Sequence, residues 1–497
     1  MMMAAGTVAP GAMPLSQLLG RPGCSGGDTL ISGLHLDSRK VRKGDLFLAV
    51  PGDVHDGRQF IEQAVANGAS AVVAEAPVAG FVDALPVPLV EIPELRFDLG
   101  SLAARFYRHP TRDLHMVGVT GTNGKTTTSR LVAQLGRSLG KSYGVIGTLG
   151  ATLDDSVAES VNTTPDPVSL QQQLAQWRDQ GVSVVCMEVS SHALVQGRVS
   201  GVEFKTAIYT NLSHDHLDYH GSMDAYGRAK LQLFASPGLR NAVINVDDEF
   251  APQVLAAVGE GVRRLTYSGS GANSDVRVRN PRFSAGGVDA ELLTPWGQGR
   301  VSSPLPGEFN LANLAAAVTA VVLAGEDLAA VLQAVTELKP VPGRMQVIPN
   351  DLGLQVIVDY AHTPDALQQV LRALKTHVAG RLVTVFGCGG DRDRAKRQVM
   401  GRVASLLSDR VIVTSDNPRS EDPAAILADI ATGCSGDFVL VPDRAAAIYR
   451  AIGDARPGDC VVIAGKGHED YQIIEGERLH FSDEEQALGA LAQRAAS

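Results

Sequence analysis

One glycine-rich turn restricts the possible folds of this chain more than any other feature. It runs Gly118-Val119-Thr120-Gly121-Thr122-Asn123-Gly124-Lys125-Thr126. The apolar run Leu114–Val117 predicts a buried strand before it, and Ser129–Leu135 predicts an amphipathic helix after it. A strand, a glycine turn and a helix in this order form a phosphate-binding loop, in which backbone N–H groups and the helix N-terminus surround phosphate oxygens.

The side chains of this loop indicate a nucleoside triphosphate with Mg²⁺. Lys125 is placed to reach the β- and γ-phosphates, and the Thr126 hydroxyl is a metal ligand. The glycine spacing differs from the common pattern, which would have a glycine where Val119 stands. A glycine-rich turn with an unrelated lysine is therefore the alternative. The predicted phosphate and nucleotide contacts in the loop are Gly121, Thr122, Asn123, Gly124, Lys125, Thr126 and Thr127.

Composition excludes several classes of protein. The chain has 497 residues, enough for about three domains. Its net charge of −10 gives no basic field for nucleic acid, and no apolar run is long enough to cross a membrane. Five scattered cysteines without a C-x-x-C pair predict a reducing cytoplasm and argue against disulfides. The N-terminus has no basic residue before Arg21 and does not resemble a signal peptide.

The order of strand-like and helix-like segments predicts three α/β domains. We place them at residues 1–98, 99–340 and 341–497. Strand and helix patterns alternate in the second and third parts, which predicts parallel sheets. The segment Asn273–Pro304 instead predicts a β-rich excursion. The stiff joint Lys339–Gly343 contains two prolines, marks the second boundary and is a candidate hinge.

A second group of polar residues is expected near the phosphate-binding loop. Glu188 ends the apolar strand Val182–Val189, and the almost wholly polar segment Thr210–His220 begins where the strand Thr206–Thr210 ends. Because ligands of parallel sheets lie at the carboxyl ends of strands, these residues are expected to share one edge. For Glu188 alone, a structural salt bridge is the alternative.

A divalent metal explains this polar density better than packing does. Mg²⁺ prefers oxygen ligands, so we predict Mg²⁺ at Thr126 and Glu188, with His216 nearby. The cluster of His214, His216 and His220 leaves zinc as an alternative.

Four further side chains are candidates for nucleotide contacts. Asn313 lies on an otherwise apolar helix, and its amide matches the edge of adenine. Arg344 and Asp359 flank the start of the last domain, with His362 just before a helix that opens on proline. A surface arginine and an aspartate that caps a turn are the simpler alternatives.

Taken together, these motifs resemble the Mur ligase family, whose members are ATP-dependent enzymes that form amide bonds in cell-wall precursors. The resemblance covers the chain after about residue 15. It rests on Gly118–Thr126, Glu188, Asn211–Asp218, Gly307–Asn313, Arg344 and Asp359. Folylpolyglutamate synthetases share these signatures. The resemblance implies three domains: an N-terminal α/β UDP-binding domain, a central ATPase domain with a parallel sheet, and a C-terminal Rossmann-like α/β domain.

Other segments resemble one branch of the family, which adds the third residue to UDP-N-acetylmuramoyl-L-alanyl-D-glutamate. They are Leu36–Arg39, Gly57-Arg58, Asn162–Asp166, Glu188–His192, Asp359–Pro364, Gly387–Arg392 and Gly465–Glu469. The segment Asp416-Asn417-Pro418-Arg419 resembles the version that selects meso-diaminopimelate. An arginine there can pair with the distal carboxylate that lysine lacks. Ligases that add lysine or act on folates, a non-catalytic nucleotide-binding module and a kinase are the alternatives.

The resemblance implies roles for individual residues and a monomer that uses ATP and Mg²⁺ through an acyl phosphate. Lys125, Glu188, His216 and Lys230 are implied in catalysis, and Lys230 matches a lysine that is carbamylated to bind a second Mg²⁺. The nucleotide of the UDP-sugar is assigned to Leu36, Ser38, Asp53, Val54 and His55, and its sugar-peptide to Asn162, Thr163, Thr164, Ser190, Gln196 and Arg198. Diaminopimelate is assigned to Arg392, Asp416, Asn417, Pro418, Arg419, Gly465 and Glu469.

Overall fold

The computed structural model describes residues 11–52, 55–80, 85–153, 156–158, 163–284, 287–375 and 378–496. Three main sheets follow one another along these residues, and helices pack on each. The predicted α/β class is therefore confirmed. Among the described residues, no helix combines the length and the apolar character needed to cross a bilayer.

The first sheet has four parallel strands. In spatial order they are Gly33–His35, Asp45–Ala49, Ala71–Glu75 and Leu89–Ile92. Its helices are Leu15–Leu19, Ile61–Ala66 and Leu95–Phe106, with 3-10 turns at Ser38–Lys40 and Gly57–Phe60 and a short ladder between Met13–Pro14 and Leu30–Ile31. Helix Leu95–Phe106 buries its apolar side chains in the core of this sheet. Residue 98, where the sequence suggested a boundary, lies inside that helix.

The central sheet has eleven strands, and its middle is parallel. In spatial order they are Ser156–Ala158, Gly150–Leu153, Tyr143–Gly147, Val184–Glu188, His115–Thr120, Phe204–Tyr209, Asn241–Asn245, Arg263–Ser268, Val276–Ser284, Gly287–Thr294 and Gly297–Ser303. The strands His115–Thr120 and Val184–Glu188 read as continuous apolar runs because helices cover both faces of the sheet. The predicted β-rich excursion is confirmed: its three strands extend the sheet at one edge.

The helices of this part complete its two apolar cores. They are Lys125–Ser138, Pro167–Asp179, Ser191–Val195, Leu217–His220, Met223–Leu231, Ala251–Ala257, Phe309–Leu323 and Leu328–Ala334, with 3-10 turns at Pro110–Arg112, Gln232–Ala235 and Val335–Glu337. Helix Lys125–Ser138 packs on Phe309–Leu323 within one core. This contact brings Asn313 to the phosphate-binding loop, because Thr128 donates to Asn313 Oδ1 at 3.3 Å.

The last sheet has one antiparallel edge strand and five parallel strands. In spatial order they are Gln346–Ile348, Gln355–Asp359, Cys460–Ala464, Leu382–Phe386, Arg410–Val413 and Phe438–Leu440. Helices Pro364–Lys375, Ala395–Leu407 and Pro423–Ala431 cover one face, and Arg444–Asp454 and Asp483–Ala495 the other. A hairpin, Tyr471–Ile474 with Glu477–His480, follows the sheet. This hairpin and the two helices of the second face were not predicted from the sequence.

Candidate active site

The phosphate-binding loop requires glycine at two positions. Gly121 has a φ of 150°, and a Cβ there would lie 1.8 Å from Thr210 Oγ1. Gly124 has a φ of 85°, and a Cβ there would lie 2.6 Å from Asn313 Oδ1. Since helix Lys125–Ser138 begins directly after Gly124, the loop ends at a helix N-terminus, as predicted. The loop is therefore closely packed between neighbouring polar segments.

The Lys125 ammonium is partly buried within this loop. Its Nζ donates to the carbonyl oxygens of Gly121 at 2.9 Å and Thr122 at 2.8 Å. Burial lowers the pKa of Lys125, although the negative charges of Glu188 and Asp215 oppose that shift. A cation that is partly desolvated in this way interacts strongly with an anion placed beside it.

Glu188 connects the loop to a neighbouring strand end and lies in no salt bridge of the described residues. Thr126 Oγ1 donates to Glu188 Oε2 at 2.8 Å, and the Thr148 N–H donates to Glu188 Oε1 at 2.8 Å. The Glu188 side chain is buried. The structure thus places the predicted metal ligands Thr126 and Glu188 in direct contact. Thr148 was missed from the sequence, although its position just after strand Tyr143–Gly147 marks the same edge of the sheet.

A cavity of about 630 Å³ lies at this edge. It brings together residues that are far apart in the sequence, and the last sheet closes one side of it. The predicted residues that line it are Thr122, Asn123, Gly124, Lys125, Thr126, Thr127, Thr163, Glu188, Ser190, His216, Asn313, Arg344, Asp359 and His362. This volume is in the range of small-molecule sites.

The three clustered histidines do not converge on one point. His214 pairs with Asp393 at 2.6 Å, and His220 contacts Ser191 Oγ at 2.9 Å. His216 lines the cavity, and burial lowers its pKa to about 3, so its imidazole is neutral at physiological pH. No group of three or more His, Cys, Asp or Glu side chains in the described part of the chain is arranged to hold a metal.

The donors that are present fit Mg²⁺ bound together with a nucleotide. Thr126 and Glu188 supply oxygen atoms, and His216 supplies a neutral nitrogen. Mg²⁺ is usually held by one or two carboxylates together with phosphate oxygens and water. The arrangement therefore suits a metal that enters with a phosphate ligand.

Lys230 is a buried lysine near the cavity. Its side chain is 1% exposed, and its Nζ lies 4.0 Å from the centroid of the Tyr226 ring. Burial lowers its pKa well below the usual value, and the charge of Lys125 acts in the same direction. Lys230 is therefore not the solvated residue that a lysine on a helix would be by default.

Arg344 and Asp359 are not surface residues. Arg344 Nη2 donates to Thr126 Oγ1 at 3.1 Å, and its guanidinium lies 4.1 Å from the centroid of the Tyr360 ring. Asp359 accepts backbone N–H bonds from Met345 and Ala361 at 2.7 and 2.8 Å, so it caps its own turn while lining the cavity. Burial raises its pKa.

Asp215 joins the central and last parts of the chain. Its carboxylate lies 3.3 Å from His216, 3.8 Å from His362 and 3.8 Å from Lys396. Burial raises its pKa, but His362, Lys396 and His216 together lower it below the usual value. A second link is made by Asn123, which donates to Asp365 at 3.0 Å. The sequence assigned no role to Asp215, Asp365 or Lys396.

The residues assigned to diaminopimelate form a separate cluster at the carboxyl ends of the last sheet. Asn417 donates to Glu469 Oε2 at 3.0 Å, and Arg419 donates to the Gly390 carbonyl at 2.7 Å. A Cβ on Gly465 would lie 2.6 Å from Asp416 Oδ2. A Cβ on Gly389 would lie 2.8 Å from Arg419 Nη1 and 3.8 Å from Arg392 Cγ, so both arginine side chains border the same point. Burial lowers the pKa of Arg419, and the charge of Arg392 lowers it further. Adjacent arginines suit a carboxylate ligand.

Tyr360 connects this cluster to the cavity. It lines the cavity, and its hydroxyl donates to Glu469 Oε1 at 3.4 Å. The Arg344 guanidinium lies 4.1 Å from the centroid of the same ring, and the centroid of the His468 ring lies 5.3 Å from it. The contacts that link the phosphate-binding loop to this cluster thus run from Thr126 through Arg344 and Tyr360 to Glu469.

The residues assigned to the UDP-sugar are divided between two places. Thr163 and Ser190 line the cavity, and Arg198 donates to the Thr164 carbonyl at 3.2 Å. Gln196 donates to the Tyr219 hydroxyl at 3.3 Å. Leu36, Ser38 and His55 lie in segments that connect the strands of the first sheet and do not line the cavity. Asp53, Val54 and Asn162 lie outside the described residues.

Comparison with known proteins agrees with this arrangement. The descriptions "Mur ligase family, catalytic domain", "Mur ligase middle domain" and "Mur ligase, glutamate ligase domain" match residues 30–107, 119–321 and 343–467. The chain belongs to the Mur ligase family. Within the family, it is 51% identical to the UDP-N-acetylmuramoyl-L-alanyl-D-glutamate–2,6-diaminopimelate ligase of Ectopseudomonas mendocina (strain ymp), over 97% of this chain and 98% of that protein.

Two solved structures differ in how much of this chain they match. A UDP-N-acetylmuramoyl-L-alanyl-D-glutamate–2,6-diaminopimelate ligase matches with a TM-score of 0.71 and 39% identity, over 98% of this chain and 100% of that chain. A bifunctional folylpolyglutamate synthase/dihydrofolate synthase, solved with Mn, AMPPNP and L-glutamate, matches with a TM-score of 0.60 and 20% identity, over 76% of this chain and 93% of that chain. The Mur ligase thus matches over more of the chain than the folate enzyme does.

Proposed function

We propose that this Mur ligase uses ATP to join meso-diaminopimelate to UDP-N-acetylmuramoyl-L-alanyl-D-glutamate in peptidoglycan precursor synthesis. One observation carries the proposal: a phosphate-binding cavity that contains Thr126 and Glu188 is linked through Tyr360 to a cluster that contains Glu469 and Arg419. The similarity to ligases of that name supports the choice of substrates.

The reaction needs two steps and no protein nucleophile. The side-chain carboxylate of the D-glutamyl residue attacks the γ-phosphorus of ATP, which forms an acyl phosphate and releases ADP. The amine of diaminopimelate then attacks the acyl carbon, phosphate leaves, and the nitrogen loses a proton. Two anions meet in the first step, and the partly buried Lys125 ammonium offsets their repulsion. Catalysis is mainly positioning and charge stabilisation.

The metal and the substrates are assigned to residues as follows. Thr126, Glu188 and His216 would hold Mg²⁺, and a carbamylated Lys230 would hold a second. Bound Mg²⁺ supplies positive charge that lowers the repulsion between phosphate oxygens and the attacking carboxylate. The adenine is assigned to Asn313, and the sugar-peptide to residues at the Thr163 and Ser190 side of the cavity. We further propose a monomer in the cytoplasm, which the five unpaired cysteines fit.

Phosphate release tests the proposed function. The protein is incubated with ATP, Mg²⁺ and UDP-N-acetylmuramoyl-L-alanyl-D-glutamate, and meso-diaminopimelate is compared with L-lysine. We expect rapid release with meso-diaminopimelate and little with L-lysine. Release that needs no amine would indicate a kinase or a hydrolase, and a preference for L-lysine would replace the proposed amino acid.

Gly147→Ala should displace the Glu188 carboxylate, which is assigned to the metal. A Cβ at this position would lie 2.1 Å from Glu188 Oε1, so the carboxylate must shift, and its hydrogen bond with Thr126 would be disturbed. A displacement of about 1 Å can lower kcat by about 10²-fold. We expect a fall of this size together with a higher Mg²⁺ requirement, measured by titrating Mg²⁺ in the phosphate-release assay. Gly453→Ala is the control, because a Cβ there meets no atom within 4 Å; identical Mg²⁺ curves for both variants would exclude the proposed role of Glu188.

Lys230 should carry one carbon dioxide molecule as a carbamate. Carbamylation requires a neutral amine, and burial lowers the pKa of Lys230, which increases the share of the neutral form. We expect a carbamate carbon signal in the NMR spectrum after exchange with ¹³C-bicarbonate, and its loss at acidic pH as the amine becomes protonated. The signal should disappear in Lys230→Met and persist in Lys141→Met, which alters an exposed lysine. A signal that survives in Lys230→Met would place the carbamate elsewhere.

A further inference from the structure

Lys466 is a fully buried cation to which the mechanism above gives no role. It follows strand Cys460–Ala464 directly after Gly465, and its side chain is 0% exposed. Its Nζ lies 3.1 Å from Asn417 Oδ1, 3.3 Å from Glu469 Oε2 and 3.9 Å from Asp416 Oδ1. A buried charge is tolerated only where such partners surround it. All three partners belong to the amino-acid cluster.

The first effect of Lys466 is on Asn417. Asn417 Oδ1 accepts hydrogen bonds from Lys466 Nζ and from the Ile473 N–H at 3.0 Å. Since both groups are donors, the oxygen of the amide must face them. The Asn417 NH₂ group then points to Glu469 Oε2, to which it donates at 3.0 Å. Lys466 therefore helps to fix the orientation of the amide.

The second effect is on Glu469. Its Oε2 accepts from both Lys466 and Asn417, whereas its Oε1 accepts from the Tyr360 hydroxyl at the longer distance of 3.4 Å. Two donors on one oxygen hold the carboxylate in place and leave Oε1 on the side of Tyr360, which lines the cavity. Oε1, which accepts only the longer hydrogen bond, therefore lies on the side of the cavity.

The third effect is on the charge of the cluster. Asp416, Glu469 and Lys466 together carry one net negative charge when all three are ionised. Without the lysine, two carboxylates would share the same region, and like charges in low dielectric repel strongly. Arg444, which is paired with Asp483, and Arg419 would be the remaining cations whose charges reach Asp416 and Glu469. One net negative charge beside Arg392 and Arg419 matches a ligand end with one ammonium and one carboxylate.

We propose that Lys466 is a positioning residue for the amino-acid substrate: it fixes Asn417 and Glu469 and cancels one of two carboxylate charges, so that the site accepts the single ammonium beside the distal carboxylate of diaminopimelate. This inference rests on the proposed function. Lys466 acts through Glu469 and Asn417 and need not touch the substrate.

A double-mutant cycle tests this role. Lys466→Met, Glu469→Gln and the double variant are compared in the phosphate-release assay with meso-diaminopimelate and with ATP varied in turn. Loss of a buried charged hydrogen bond predicts that Lys466→Met raises the KM for diaminopimelate at least about tenfold and leaves the KM for ATP nearly unchanged. In the Glu469→Gln background the same substitution should have a much smaller effect, because the two residues act as a unit.

The control is Arg410→Met, which removes another cation from the same sheet. Arg410 starts strand Arg410–Val413, at the end away from Asn417, and pairs with Asp454 at 3.0 Å. Its KM values should match those of the unmodified protein. A rise in both KM values of Lys466→Met, or additive effects in the cycle, would overturn the inference and leave Lys466 a structural residue.

Two further outcomes are distinguishable. If Lys466→Met does not fold, Lys466→Gln, which keeps an N–H donor but no charge, is measured in the same way; an unchanged KM for diaminopimelate then overturns the inference. If the unmodified protein releases no phosphate with meso-diaminopimelate, the proposed function itself is wrong. An active unmodified protein with an unaffected Lys466→Met variant rejects only the role of Lys466.

Discussion

Replacing Lys125 with methionine is expected to lower kcat for ATP consumption about 10³-fold, the upper range for loss of one preorganised charge-stabilising donor. The ammonium lies inside the phosphate-binding loop, bonded to the Gly121 and Thr122 carbonyls. Burial already lowers the pKa of Lys125, so the free-energy cost of removing water from the ammonium arises on folding and not at the moment of reaction. Methionine has a similar length and no charge. Steady-state phosphate release at saturating ATP measures the effect.

Lys141→Met provides the matched control for this variant. Lys141 lies just beyond the same helix, is half exposed and is 3.8 Å from Glu326. Surface ion pairs of this kind contribute little, so activity should stay near that of the unmodified protein. Thermal unfolding of both variants checks that the fold is intact. A folded Lys125→Met protein with nearly full activity would show that the glycine turn is not a phosphate site, and the proposed function would fail with it.

Arg419→Ala is expected to raise the KM for meso-diaminopimelate about 10²-fold and to leave the KM for ATP unchanged. A guanidinium that pairs with a buried carboxylate contributes about 1.5–3 kcal/mol, and a site built for that carboxylate loses this energy when the arginine is absent. The charge of Arg392 beside Arg419 favours an anionic ligand between them. Kinetics with each substrate varied in turn measure the change.

A comparison with L-lysine separates recognition from structure. Arg419 also donates to the Gly390 carbonyl, so its loss could loosen the loop without any contact to substrate. If recognition is its role, the weak reaction with L-lysine should be unaffected, because lysine has no distal carboxylate. If both amino acids lose activity equally, Arg419 only supports the loop. Arg394→Ala, an exposed arginine 3.4 Å from Asp429, should change neither reaction.

The sequence predicted local structure best where periodicity and length agreed. The strands Gln355–Asp359, Leu382–Phe386 and Cys460–Ala464 follow the alternation predicted for the last part, because buried parallel strands are short apolar runs. Helix Lys125–Ser138 begins four residues before the predicted apolar stripe, since the threonines of its first turn face the loop and not the core. Polar residues that face a site thus make the start of the helix hard to predict from the sequence.

Several contacts of the site could not be predicted from the sequence. Asp215 meets His362 and Lys396 across about 150 residues or more of sequence, and no local pattern identifies such partners. Thr148 holds Glu188 only because two strands are neighbours in the sheet. The residues of a nucleotide-binding motif lie close together in the sequence, whereas the residues that support them lie close to them only in the folded structure.

The chain by itself determined that a glycine-rich turn stands between a strand and a helix, because backbone geometry dictates glycine at tightly packed turns. Phosphate binding by this turn and its Lys-Thr pair stays a prediction. It also determined the α/β class through the alternation of short apolar runs and helices. Only the tertiary structure decided that Arg344 reaches Thr126, that Tyr360 links the two binding regions and that Lys466 is buried among Asn417 and Glu469. Arg344 and Thr126 meet only where the central and last parts of the chain pack together, whereas the contacts of Tyr360 and Lys466 depend on the order of the strands in the last sheet. Distances between segments so far apart are not encoded in any single stretch of sequence.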